Sequence, residues 1–480
     1  MQAPAGASGF SRSGAGAAGR EKRSPATRAA ACLPLASAAP SGGRGPHLRT
    51  NLGRGPVEVN AEFSTPVDKP GDELWTRRAC LWTAAAAAVD EDVGDTPGNP
   101  STPVLTCEDA GAPAVEEDRR AAARIVDGAT VTPAPETLDP VAALRRIAFL
   151  LERRLADSYR IKAYRKAADA LLAAGPEEVA ARARAGTLRD LPGVGAKTAE
   201  IAQECVRGRV PAYLSELEEG AGPLTGGGGA AAGYRAALRG DLHTHSDWSD
   251  GGSPIQEMAM TAIEVGHEYQ VLTDHSPRLR VANGLSVERL RRQLEVVDAL
   301  REHLEASGTG FRLLRGIEVD ILEDGALDQT EEMLAGLDVV VASVHSKLRM
   351  ESAAMTRRML AAVRHPETNV LGHCTGRLVT GGRGARPQSS FDAEAVFEAC
   401  AEHTVAVEIN SRPERRDPPD ELVALALEAG CLFSIDSDAH APGQLDFLDY
   451  GAERAEALGV PLDRVVNSWP VERLLEWARG

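Results

Sequence analysis

Hydrophobic residues first recur at helical spacing at Val141, Leu144, Ile147, Leu151 and Leu155. They follow Asp139-Pro140, a side chain suited to capping a helix and a residue suited to its first position. A second helical stretch, RIKAYRKAADALLAAG, runs to Gly175. Residues 1–135 keep neither a 3.6 nor a 2 period and are rich in Ala, Gly, Pro and Ser, so they bury too little apolar surface to offset the entropy of ordering. They read as a disordered low-complexity tail, with an over-extended start or an organelle transit peptide as alternatives. Segment 138–212 is then a small all-α unit, and 213–238, which contains GAGPLTGGGGAAAG, is predicted to be a flexible linker.

Over 239–480 the pattern changes to short apolar runs separated by helical stretches: ALRGDLHTH, EYQVLTDH, FRLLRGIEV, LDVVVASVH, NVLGHCTG, TVAVEINS and CLFSIDSDAH. Seven such runs predict parallel β/α units, whose active sites gather at the C-terminal ends of the strands. Nearly every run here ends in His, Glu or Asp.

Composition narrows the class. The 480-residue chain is 43% hydrophobic and carries a net charge of −17, which argues against a whole surface devoted to nucleic acid. Residues 139–208 hold 13 Lys/Arg against 9 Asp/Glu, so basic charge is local to the helical unit. Seven scattered cysteines without a Cys-x-x-Cys pair suggest neither a disulfide framework nor a cysteine zinc finger, and suit a reducing cytosol. With no apolar run of membrane-spanning length and no basic-then-apolar leader, the expected location is cytoplasmic and nucleoid-associated, with no membrane partner.

Side chains alternate along a strand, so His243 and His245 share a face, as do Asp438 and His440 at the last run. Asp250, His275, Glu318, His345 and His373 follow or end the runs between them. These are nine potential ligands, and six of the eleven histidines are among them. His47, His267, His303, His365 and His403 lie elsewhere and read as surface or packing residues. Imidazole and carboxylate without thiolate suit Zn²⁺, Mn²⁺ or Fe²⁺. Nine ligands exceed the needs of one tetrahedral ion, so two or three divalent transition-metal ions are expected, with Glu318 a natural bridge. Water between ions about 3.5–4 Å apart is a hydroxide near neutral pH, which points to phosphoester hydrolysis.

At these residues, HTHSDWSDG, TDHS, GIEVD, SVHS, GHCTGR, EIN and DSDAH resemble, in order, the motifs of the PHP (polymerase and histidinol phosphatase) family. The resemblance implies a distorted seven-stranded (β/α) barrel with a trinuclear centre. Carried over by position, His243, His245, Glu318 and Asp438 hold one ion, Glu318, His345 and His373 a second, and Asp250, His275 and His440 a third. The stretches TDHSPRLRVANGLSVERL, GIEVDILEDGALD and GHCTGRLVTGGRG are most similar to the PHP domain of bacterial X-family DNA polymerases, with Cys374 where that group commonly has Pro.

TLRDLPGVGAKTAEIAQE resembles a helix-hairpin-helix, and the helices before it resemble the small N-terminal DNA-binding domain of the same polymerases. Gly193 and Gly195 would bring backbone N–H groups to a phosphate, with Lys197, Arg165 and Lys166 adding charge. Such contacts hold DNA without reading its sequence. No Gly-Ser followed by an Asp-x-Asp strand occurs between 208 and 239, so no polymerase module is expected. The resulting expectation is a metal-dependent phosphoesterase of nucleic-acid ends, as a 3′-5′ exonuclease, 3′-phosphatase or abasic-site nuclease, with DNA and DNA-repair proteins as partners. A small-molecule phosphatase and a non-catalytic DNA-binding scaffold are the alternatives. Glu318, Arg377 and Lys347 are the candidate catalytic residues, and Asn410, Arg412 and Arg415 the candidate substrate contacts.

Overall fold

The computed structural model describes residues 138–480 apart from 223, 226–229 and 382–383, so the expected tail and His47 lie outside the described residues. The helical unit opens with α1 (Pro140–Arg153), capped by the Asp139 carboxylate, which accepts from Val141 N at 2.9 Å. Its apolar stripe of Leu144, Ile147, Leu150 and Leu151 is buried. Leu155 falls outside the stripe, because the helix ends at Arg153 and Leu155 turns into left-handed backbone (φ 52). α2 (Ser158–Ala174), α3 (Pro176–Ala185) and α4 (Ala196–Val206) complete one core, in which Tyr164, Leu171, Val179, Ile201 and Cys205 are buried. Gly175 and Gly186, both at positive φ, end α2 and α3, as expected of C-terminal glycines.

The linker expectation is corrected: one helix runs across the start of 213–238 and a second lies inside it. In α5 (Ala212–Glu219), Leu217 is buried and Glu218 pairs with Arg146 of α1 at 2.7 Å. In α6 (Ala230–Ala237), the Tyr234 hydroxyl donates to Val460 O at 2.8 Å and Arg235 pairs with Asp449 at 3.2 Å. The apolar residues flanking the glycines thus find partners, which a reading of glycine content alone overlooked.

Among the described residues all seven expected strands form: β1 (Gly240–Thr244), β2 (Tyr269–Leu272), β3 (Arg312–Asp320), β4 (Val339–Ser343), β5 (Val370–Leu371), β6 (Ala406–Asn410) and β7 (Phe433–Asp436). They pair in parallel in sequence order. A bridge between Thr244 and Ala439, with His245 N donating to Ala439 O at 2.8 Å, nearly closes the barrel. The helices between and after the strands are α7 (Ile255–Glu264), α8 (Val287–Ala306), α9 (Glu331–Leu334), α10 (Ser352–Val363), α11 (Ala393–Glu402), α12 (Asp420–Glu428), α13 (Leu448–Ala457) and α14 (Val471–Ala478). Strand residues alternate between two cores, as the pleat requires. Val340, Ala342, Val407 and Ile435 pack with α10 and α11 through Met355, Met359 and Phe397, whereas Val339, Val341, Val271 and Val370 cluster with Trp469, Leu474 and Leu475. The Tyr269 hydroxyl, at the start of β2, donates to Asn467 O and Trp469 O, so the C-terminal segment plugs the strands' N-terminal end. The opposite rim is left for chemistry.

The helical unit is docked on the barrel through buried charge. Arg165 donates to Glu152 of α1 at 2.7 and 2.9 Å and also to Glu257 of α7. Glu152 accepts from Gly443 N at 2.9 Å, and Arg153 pairs with Asp446 at 2.7 Å. A Cβ on Gly443 would sit 2.2 Å from Phe149 O, so only glycine lets α1 approach this closely. The expected role of Arg165 in nucleic-acid contact is therefore corrected: it is 8% exposed and consumed by two carboxylates. Among the described residues no helix is long and apolar enough to cross a membrane.

Candidate metal centre

Glu318 sits at the centre of the rim, fully buried, with five imidazoles around its carboxylate. Its Oε2 lies 3.3 Å from His243 Nε2, 3.7 Å from His245 Nε2 and 2.7 Å from His275 Nδ1. Its Oε1 lies 3.1 Å from His345 Nε2 and 2.8 Å from His373 Nε2. Asp250 approaches His275 Nε2 at 3.4 Å and His440 Nε2 at 3.3 Å, and Asp438 approaches His245 Nε2 at 3.5 Å. All nine expected ligands therefore converge.

Two tests bear on whether these residues fit metal. Ligands about 2.1 Å from one tetrahedral ion lie about 3.4 Å apart, and most of these separations are close to that. In addition, both Glu318 oxygens, His243 Nε2, and both ring nitrogens of His245, His345 and His373 are buried with no hydrogen-bond partner, an arrangement proteins avoid unless something else satisfies the atoms. The donor sets overlap: His245, Asp250, His275 and His440; His243, His245 and Asp438; His243, Glu318 and His373; His275, Glu318 and His345. These four groups do not divide as the expected partition into three ions does: His345 and His373 fall in different groups, His245 also faces Asp250, and His275 also faces Glu318. His267, His303, His365 and His403 join none of these sets.

The local backbone explains the aim. His373 and Asp438 adopt positive φ, 21° and 51°, which turns each side chain at the end of its strand into the rim. Backbone held in such sparsely populated regions marks sites that the surroundings over-determine. Behind the ligands stands a layer of carboxylates that the sequence reading did not single out. Glu408 holds His243 Nδ1 at 2.6 Å, and Asp320 accepts from His345 N at 3.0 Å. Asp241 accepts from His243 N and from Ser437, and Asp274 accepts from Ser246, Ser249 and Gln293. Outer partners of this kind fix the ring orientation of metal-binding histidines. The signal was available, since Glu408 and Asp320 lie on strands whose alternation points them toward the same rim.

Electrostatics follow the crowding. Burial raises the Glu318 carboxyl, but His345, His243 and His275 outweigh it and hold it well below its ordinary value. Burial likewise opposes Asp438, and Arg415 and Arg412 bring it well below normal. His245 is pushed well below its ordinary value by burial and by His440 and His275, so it favours the neutral form that binds a cation.

The other expected site residues divide. Asn410 donates to Glu408 at 3.2 Å and to Asp438 at 3.1 Å, so it is buried and occupied in aligning carboxylates. Arg415 donates to Asp438 at 3.0 Å, and Arg412 lies 3.7 Å from Asp438 and 2.9 Å from His440 Nδ1. Both guanidinium groups are part-exposed beside the ligands. Arg377 is corrected as a catalytic candidate: its guanidinium donates to the carbonyls of Arg415 and Arg416, so it braces the loop that carries Arg415. Lys347 is exposed on the turn after His345, in left-handed backbone.

At the hairpin, Gly193 takes φ +97, and a Cβ there would sit 3.0 Å from Lys166 Cγ, so glycine and lysine side chain pack together. Gly195 N donates to Thr198 Oγ1 at 2.9 Å, which removes it from the expected free donors. The first-turn N–H groups of α4 remain without intrahelical acceptors, as at any helix start. Lys197 is exposed and pairs with Glu200 at 3.0 Å.

The nearly closed seven-stranded parallel barrel thus carries six imidazoles and three carboxylates on its C-terminal rim, a donor set suited to divalent metal ions. Residues 241–412 match the PHP domain and residues 137–209 a helix-hairpin-helix domain, so the chain carries both. It is 37% identical over 231 residues to the DNA polymerase/3'-5' exonuclease PolX of Bacillus subtilis, covering 48% of this chain and 39% of that one. It is 27% identical over 248 residues to the "Probable phosphatase YcdX" of Escherichia coli K12, covering 49% of this chain and 92% of that one. The chain thus spans well under half the length of the Bacillus relative. A solved structure of histidinol phosphate phosphatase from Lactococcus lactis, complexed with Zn, L-histidinol and phosphate, aligns with TM-score 0.33 at 18% identity, over 46% of this chain and 92% of that chain.

Proposed function

We propose that this chain is a metal-dependent phosphoesterase that trims or dephosphorylates the ends of nucleic acid, in the manner of a 3′-5′ exonuclease, 3′-phosphatase or abasic-site nuclease, in the cytoplasm. The observation that carries the hydrolytic part is Glu318, whose two oxygens face two sets of imidazoles and so suit a bridge between ions. The helix-hairpin-helix domain supports DNA as the substrate class, through contacts to backbone phosphates.

Two or three ions of the Zn²⁺, Mn²⁺ or Fe²⁺ type would be held by His243, His245, Asp250, His275, Glu318, His345, His373, Asp438 and His440, and would supply a hydroxide at neutral pH and Lewis acidity. The chain's own side chains do the rest. Glu408 holds His243 with Nδ1 occupied, leaving Nε2 for the centre. Arg415, Arg412 and Asn410 fix Asp438 in place. Arg412 and Arg415 lie at the edge of the ligand sets, where their charge would meet phosphoryl oxygens. Asp250 and His440 are the more open ligands, with side chains 34% and 20% exposed, so the substrate enters on their side.

The match along 92% of the Escherichia coli relative favours one competing reading, a phosphatase of small phosphoesters. The assay that separates the two compares metal-replete protein on 3′-phosphorylated, 3′-tailed and abasic-site DNA with histidinol phosphate and p-nitrophenyl phosphate. The nucleic-acid reading expects kcat/KM at least tenfold higher on DNA. Equal or higher efficiency on the small esters refutes it.

A further inference from the structure

The two loops that carry the open ligands are also the loops on which the helical domain rests. Asp250 leads through Gly251, Gly252, Ser253 and Pro254 into α7, and Glu257 in its first turn takes the buried Arg165 and, at 3.3 Å, Arg145. His440 leads into the turn at Gly443, whose N–H donates to Glu152 at 2.9 Å. Between them, Gly252 N donates to His440 O at 2.7 Å, and Gln444 Oε1 accepts from His440 N at 2.8 Å. Arg165 spans the two anchors, because it bonds Glu152 and Glu257 together. Its guanidinium and both carboxylates are buried, so the bracket has a fixed length.

We propose that this bracket makes the helical domain a structural part of the ion site built from His245, Asp250, His275 and His440, with Glu152, Arg165 and Glu257 as positioning residues. The proposal rests on the metal-centre reading and adds selectivity to it. Glu318, His243, His345 and His373 lie on strand ends, and Asp438 is fixed by Arg415 and Asn410 from within the barrel. None of these five depends on α1 or α2 for its placement. Loosening the bracket therefore weakens one ion and spares the others. The domain assigned to gripping DNA thereby also sets the geometry of the outermost ion, with no catalytic contact of its own.

The test is metal binding by the full chain, read by elemental analysis, by Zn²⁺ titration against a chelator and by the visible bands of Co²⁺ at each occupied site. Wild type is expected to hold three ions. Glu152→Ala should hold two at unchanged affinity and the third about 10–100-fold more weakly, the usual effect of losing an outer partner. Glu152→Gln, which keeps an acceptor for Gly443 N, should restore most of that loss. Arg146→Ala, which removes a surface pair within the helical domain, should change nothing. Circular dichroism and thermal melting establish that each variant is folded. If Glu152→Ala does not fold, Glu152→Asp takes its place, since it keeps the charge for Arg165 but is too short for Gly443 N. Three ions at wild-type affinity in the folded variant overturn the proposal, as does parallel weakening of all three. Fewer than three ions in wild type sinks the metal-centre partition and the proposal together, so the two failures are told apart.

Discussion

Replacing Glu318 by Gln keeps the size of the side chain and removes one negative charge from the middle of the rim. The ligand sets contain three carboxylates, Asp250, Glu318 and Asp438, against six histidines, so the change removes a third of the anionic charge available to hold divalent ions. A unit charge pair at 4 Å is worth about 4 kcal/mol at the effective dielectric of a protein site. Glu318 faces two imidazole sets through its two oxygens, so two ions would lose their shared anion. Even if relaxation recovers half of one such interaction, about 2 kcal/mol remains, or roughly 30-fold in affinity for each ion. On the proposed bridge hydrolysis would use both ions at once, so single-turnover rates at subsaturating metal should fall by about 10³-fold, with two ions lost together in the titration. The assay is rapid-quench hydrolysis of 3′-phosphorylated DNA alongside chelator competition, on protein shown to be folded. Glu318→Gln that keeps a tenth of wild-type activity, or that loses a single ion, refutes the bridge and returns the centre to the other eight ligands.

Glu408→Ala should weaken the ion held by His243 about 10–100-fold, because the ring loses the partner at Nδ1; metal titration checks it. Arg165→Ala leaves Glu152 buried without its cation and Glu257 with Arg145 alone, and should cost about 3–5 kcal/mol, seen as a lower denaturant midpoint. An ion present at about a thousandfold its dissociation constant stabilises by about 4 kcal/mol, so chelation should lower the melting temperature by roughly 8 °C or more, recoverable with Zn²⁺ or Mn²⁺. His267 is fully buried and lowered to about 3, by burial first and then by Arg235. The unfolded chain therefore binds the extra proton between pH about 6.5 and 3, and stability falls with acid across that window by up to about 1.4 kcal/mol per pH unit; urea midpoints of wild type and His267→Gln at pH 5 and 7 measure it. DNA affinity of the full chain should fall steeply with salt while hydrolysis of p-nitrophenyl phosphate does not, and Gly193→Ala should weaken DNA binding because a Cβ there is strained at φ +97.

Much of this was legible because the strands carry their chemistry at a fixed place. Nearly every apolar run ends at or near a His, Glu or Asp, and alternation alone put His243 with His245 and Asp438 with His440. The same alternation reaches Glu408 and Asp320, but a buried acid with no metal-like spacing looks like any strand residue until its neighbour is known. Arg165 was misassigned for a related reason: a basic helix gives no sign of which cation will meet Glu152 and Glu257, residues 13 and 92 positions away. Arg377 just past a strand-end histidine motif reads as a phosphate ligand, yet the carbonyls of Arg415 and Arg416 take up its guanidinium. The helices on either side of the glycine run escaped notice because their stability comes from α1 and α13, not from their own pattern.

The near-closure of β1 against the segment after β7 has a consequence in time. The Asp250 and Glu318 sets both draw on residues from the first strands, and the outermost set needs His440, which pairs through Asp250 with a loop almost 200 positions earlier. A chain made at about 5–20 residues per second leaves His243 and His245 exposed for roughly 10–40 s before Asp438 and His440 exist to complete their sets. Contacts of such long sequence separation also form slowly once the chain is complete. A metal centre built from these residues would therefore be complete only after synthesis has passed the last strand, with the early histidines open until then to whatever metal the cell leaves free.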